Sequence, residues 1–205
     1  MEEKNYTGII PGQDSGYVIN AQSITQTNDL ESARILFEKA KIKLLDVNNW
    51  HKVAGELMAE FQLTDETGSD IAGPVEKGNY FKIDIPGPGT KAGEGFDWAI
   101  VEEVEKYDSY ETESIGIRVR PAANPLNDNQ DIAHFYSNES TSTFTVTREN
   151  TKITAAVYDR NTKVNTDSGG IMDQARNILI GIAGMFSFSK IQWKNLTDGL
   201  IGLEN

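Results

Sequence analysis

Glu102 and His134 are the two residues best suited to acid–base chemistry in this 205-residue chain. Glu102 falls in the run Trp98–Tyr107, where Trp98, Ile100, Glu102 and Val104 alternate with Ala99, Val101 and Glu103. If Trp98 faces inward along a strand, Glu102 does too unless a bulge intervenes. A carboxylate in a partly apolar cavity has a raised pKa and can give or take a proton near neutrality. The plainer alternative is that Glu102 pairs with a basic neighbour or sits at a solvated rim. His134 is one of two histidines. Counting back from Phe144 in steps of two puts Ser142, Ser140, Asn138, Tyr136 and His134 on one face, a run polar enough to imply an interrupted strand. His134 then lines an opening beside the preceding loop, or serves as a structural hydrogen-bonding group.

Other chemistries are closed off by composition. With no cysteine, disulfides, thiolate nucleophiles and Cys-ligated metals are excluded. Two histidines cannot build a histidine-rich centre, so neither a metal nor a cofactor is expected. The acidic cluster Glu102, Glu103 and Glu105 lacks the Asp/Asn/Gly pattern of a calcium loop. Arg118 and Arg120 share a face opposite Ile115, Ile117 and Val119. They could clamp a carboxylate or phosphate, or form a solvated face balanced by Glu103 and Glu105. A formal charge of −12 argues against nucleic acid and against anionic membrane surfaces. The most apolar run, Ile178–Phe188, is too short for a span of roughly 20 residues. The first residues carry no signal-peptide pattern, and a cytoplasmic location is the expectation.

The elements that must position these groups follow from periodicity. Residues 1–16 are polar and glycine-containing and read as a flexible leader, with a single domain over 17–205. Tyr17–Gln26 alternates partially and predicts a first strand. Asn28 followed by Glu31 gives a capping signal. Leu30, Ala33, Phe37, Ala40 and Leu44 then recur at helical spacing. DVNNWHKV breaks that helix, and a short second one is predicted around Trp50–Gly55. From there the period is two: Phe61 and Leu63, then Phe81, Ile83 and Ile85, then Trp98–Tyr107, Ile115–Arg120, and a hairpin pairing Phe144 and Val146 with Ile153, Ala155 and Val157. Ile178, Ile182, Phe186, Trp193, Leu196, Leu200 and Leu203 return to helical spacing.

This β-α-α-β6-α order resembles the helix-grip fold of the START/SRPBCC superfamily, which includes birch-pollen-allergen-like proteins, polyketide cyclases and plant hormone receptors. The helix before DVNNWHKV, the strand succession and the closing QWKNLTDGLIG carry the resemblance. It implies an α+β fold, a seven-stranded antiparallel sheet curved around a long C-terminal helix, and a cavity between the two. Parity along the sheet adds an independent point. Connections Pro86–Phe96, Pro121–Ile132 and Asn161–Gly170 fall at one end, and long connections are often binding loops.

The expectation is therefore a small apolar or amphipathic molecule bound between sheet and helix. Phe61, Phe81, Trp98, Tyr136, Phe144 and Phe186 are the candidate lining. Pro86, Gly87, Pro88, Gly89, Gly93 and Gly95 form a candidate gate loop. A cavity of about 300 Å³ or more beside Trp98 would favour ligand binding. The alternatives are a cyclase- or hydrolase-like enzyme using Glu102 and His134, and a filled scaffold for protein interaction.

Overall fold

The computed structural model describes residues 2–55, 59–85, 90, 92–165 and 175–203, with backbone only at 175–183, 185 and 186. Strand β1 (Tyr17–Gln26) leads to helix α1 (Leu30–Leu45), a 3₁₀ turn (Val47–Asn49) and the short helix α2 (Trp50–Ala54). Six strands follow: β2 (Glu60–Thr64), β3 (Tyr80–Asp84), β4 (Asp97–Asp108), β5 (Thr112–Pro121), β6 (Thr141–Glu149) and β7 (Lys152–Thr162). Helix α3 (Ala175–Leu200) closes the fold. The strands form one antiparallel sheet in the order β1-β7-β6-β5-β4-β3-β2, so α1 and α2 carry the chain from one sheet edge to the other.

Each helix forms where local chemistry favours it. Helix α1 is capped by Asp29, one residue later than the Asn28 expectation, because the Asp29 carboxylate reaches the backbone N–H of Ser32 at 2.7 Å. Ala33, Phe37, Ala40 and Leu44 form its buried stripe. Its C-terminal carbonyls lack intrahelical partners, and the Trp50 indole donates to two of them, Lys43 O at 3.2 Å and Leu44 O at 3.1 Å. Trp50 is thus both a cap and the centre of the core. Its ring meets Phe144 at 4.8 Å, Phe61 at 5.3 Å and Phe81 at 5.6 Å. Helix α3 approaches α2 so closely at Gly199 that a Cβ there would lie 1.9 Å from Val53 O. Only glycine fits that contact.

Residues 2–16 are not a loose leader. They lie across the outer face of the sheet, where Ile9 and Ile10 are buried in a cluster with Ala156 and Tyr158. Lys4 bonds Glu149 at 3.0 Å, Arg160 bonds Glu3 at 2.6 Å, and Arg118 donates to Ile9 O at 2.9 Å. Two adjacent isoleucines outweigh the polar composition that suggested a free segment.

Candidate functional site

Register gathers the site at one end of the sheet. Ile83 lies opposite Asp97, Ala99 opposite Pro121, and Val119 opposite Ser142. Connections 86–96, 121–132 and 161–170 leave from that end. A cavity of about 50 Å³ lies there between the inner face and α3. Phe61, Phe81 and Ala99 wall it from the strands, Phe188 and Trp193 from the helix. His134, Tyr136, Ser142, Ser189 and Gln192 supply its polar groups. The volume is well short of about 300 Å³, because the rings of Trp50, Phe61, Phe81, Phe144 and Trp193 pack against one another and fill most of the interior.

The sequence-derived candidates divide into two groups. Phe61, Phe81, Tyr136, Phe144 and His134 line the cavity. Trp98 does not: Ala99 and Val101 belong to the inner core, so strand alternation turns Trp98 to the other face, where it is fully buried. Glu102 is on that outer side as well. The register slips between Val101 and Glu103, the mark of a bulge, and Glu102 accepts hydrogen bonds from Arg118 Nε at 2.8 Å and Arg120 Nε at 2.5 Å. Burial acts to raise its pKa, but the two arginines outweigh burial and hold it below the usual value. Glu102 and His134 therefore form no acid–base pair, and Arg118 and Arg120 clamp this carboxylate rather than a ligand. The Phe186 side chain and Pro86, Gly87, Pro88 and Gly89 lie outside the described residues. Gly93 and Gly95 belong to a bonded turn: a Cβ at Gly93 would lie 1.8 Å from Phe96 O, and Gly95 has φ +97°. Asn127 ties this turn to the 121–132 connection through Glu94 at 3.0 Å.

His134 has a different carboxyl neighbour, Asp97. Its Nδ1 accepts from Tyr136 N–H at 2.9 Å and stands 3.9 Å from Asp97 Oδ2. An Nδ1 that accepts leaves the ring proton on Nε2. Burial pushes the imidazole pKa down to about 3, so the ring is neutral and its contact with Asp97 is not an ion pair. Burial also raises Asp97 to about 7, against hydrogen bonds from Phe135 N–H and Thr90. Residues 97 and 134 meet because Ala122 and Ala133 bond one another and Trp98 through their backbones.

A second buried acid, Asp159, was not evident in the sequence. It points from β7 toward α3, where Trp193 Nε1 donates to its Oδ2 at 2.9 Å. Burial raises it to about 7, more than Ser142, Trp193 and Arg160 lower it. Among the described residues no three His, Asp or Glu side chains stand close enough to hold a metal ion. Nor is any described helix long and apolar enough to cross a membrane.

Seven antiparallel strands wrapped on a long C-terminal helix, with two helices after β1, form the helix-grip arrangement expected from the order of elements. No protein-family model matches the chain, and no curated protein matches it. Solved structures do. The hypothetical protein jhp0584 from Helicobacter pylori is 13% identical, with 100% of this chain and 95% of that one covered, at a TM-score of 0.50. A conserved protein from Geobacillus kaustophilus is 16% identical, covering 89% and 97%, at 0.36. Norcoclaurine synthase from Thalictrum flavum, with dopamine and hydroxybenzaldehyde bound, is 9% identical, covering 87% and 92%, at 0.34. At these identities the likeness is one of fold.

Proposed function

We propose that the protein binds a small, largely apolar molecule between the sheet and α3, admitted at the end of the sheet where β3, β5 and β7 finish. The cavity carries this reading: apolar walls from Phe61, Phe81 and Phe188, with polar groups from His134, Tyr136, Ser189 and Gln192. Binding pockets combine an apolar lining with a few placed polar groups. At about 50 Å³ the preformed space admits only part of a ligand, so the rest must displace wall side chains. The 86–96 connection is the proposed gate. Catalysis through Glu102 and His134 has no geometric support. The packed aromatic cluster favours one competitor, a filled scaffold for protein interaction.

Native mass spectrometry of the purified protein tests the proposal. A one-to-one small-molecule adduct is expected, lost on denaturation and absent in Ala99→Leu, whose added bulk fills the cavity. A ligand-free mass, with no thermal shift from apolar molecules, supports the filled scaffold instead.

A further inference from the structure

Asp159 is a buried carboxyl with one side unfilled. It is 1% exposed, and while Oδ2 is bonded to Trp193, Oδ1 has no hydrogen-bond partner among the described residues. Ser142, its register partner on β6, is near enough to favour the ionised carboxyl without completing a bond to Oδ1. Buried polar atoms are rarely left this way. Ser142 and Trp193 both line the cavity, and the charge on Asp159 reaches the cavity's Tyr136 hydroxyl, whose pKa it helps to raise after burial. Two more buried hydroxyls of the wall, Thr141 Oγ1 and Thr162 Oγ1, also lack partners among the described residues.

In the neutral acid Oδ1 carries the proton; once Asp159 is ionised Oδ1 needs a donor, and the surroundings specify a positive one. No lysine or arginine is among the described residues lining the cavity. Arg160, next in sequence, is engaged by Asn20 at 2.7 Å and Glu3 at 2.6 Å. The Arg160 charge favours ionised Asp159 less than burial opposes it, and a buried carboxylate so weakly compensated is costly. Trp193, Phe144 and Phe61 line the cavity with aromatic rings, and ring faces attract cations. The about 50 Å³ of space matches a headgroup better than a ligand body. The chain's charge of −12 draws cations and repels anions.

We propose that the cavity takes a small amphipathic amine, its ammonium group donating to Asp159 Oδ1 and its apolar part running toward Phe188. This deepens the apolar-ligand reading and rests on it. The test follows the Trp193 indole resonance by ¹H–¹⁵N NMR, identified with Trp193→Phe, during titration with hexylamine, hexanol or hexanoate. Hexylamine should half-saturate the shift at a concentration at least tenfold below hexanol, and hexanoate should leave it unmoved. Asp159→Asn should weaken hexylamine at least tenfold and leave hexanol within twofold. Equal affinity for hexylamine and hexanol, or an Asp159→Asn variant that keeps hexylamine, overturns the amine assignment and leaves the apolar cavity standing. No response to any probe overturns both. If Asp159→Asn does not fold, the three-probe comparison in the unmodified protein decides.

Discussion

The two faces of the sheet handle charge in opposite ways. On the outer face, acids meet bases: Glu102 with Arg118 and Arg120, Glu149 with Lys4, Glu3 with Arg160. At the cavity end of the inner face, burial outweighs the neighbouring charges and hydrogen bonds on Asp97, His134 and Asp159 and pushes each toward its neutral form. Paired charges on the outer face are explained by holding residues 2–16 and the β4–β5 bulge in place. Unpaired titratable groups beside a cavity have no such structural account, and perturbed groups of this kind concentrate at functional sites. The inner end is therefore where function is to be sought.

The contrast can be broken most forcefully at the inner face. Trp50 is 1% exposed and contacts three other rings. Trp50→Ala should cost about 3–5 kcal/mol, measured by urea unfolding, and also free the α1 carbonyls that its indole holds. On the outer face, Ile9→Ala should cost about 2 kcal/mol, at the lower end of the range for buried aliphatics because its cluster with Ile10, Ala156 and Tyr158 is small. A loss near zero would return residues 2–16 to a loose leader. Glu102→Gln should have the smallest effect, about 1 kcal/mol or less, since its partners are partly exposed, and ligand binding should be unchanged. Lost binding in Glu102→Gln would place function on the outer face.

The fold was legible in the sequence because each strand advertises its inward residues by alternation, as Phe61, Phe81 and Phe144 do. Other parts of the site were hidden for specific reasons. Trp50 sits in a five-residue helix, too short for periodicity to assign its face. Alternation ties Glu102 to Trp98, and both face outward because Ala99 and Val101 supply the inner residues of β4. Asp159, between Tyr158 and Arg160, reads as part of a polar strand end. Asp97 and His134 are brought together by backbone bonds between Trp98, Ala122 and Ala133, which no spacing rule anticipates. Ile9 and Ile10 were diluted by polar neighbours in residues 1–16.

Titration of the aspartate and glutamate carboxyls by ¹³C NMR tests the contrast most directly. Asp97 and Asp159, raised from 3.8 to about 7, hold a proton in the folded state that the unfolded chain has already released. Their contribution to stability is therefore full below about pH 4 and lost as pH rises to about 7. His134, lowered from 6.5 to about 3, acts oppositely, contributing above pH 6.5 and losing that contribution as pH falls toward 3. Glu149, lowered from 4.5 to about 2 as hydrogen bonds from Tyr6, Lys4 and Lys152 outweigh burial, contributes above 4.5 and loses that contribution toward pH 2. The expected result is two aspartates with midpoints near 7, assigned by Asp97→Asn and Asp159→Asn, and Glu102 and Glu149 below the ordinary glutamate value. Midpoints below 5 for both aspartates would contradict the account, since the inner face would then carry ordinary, stabilised carboxylates like the outer one.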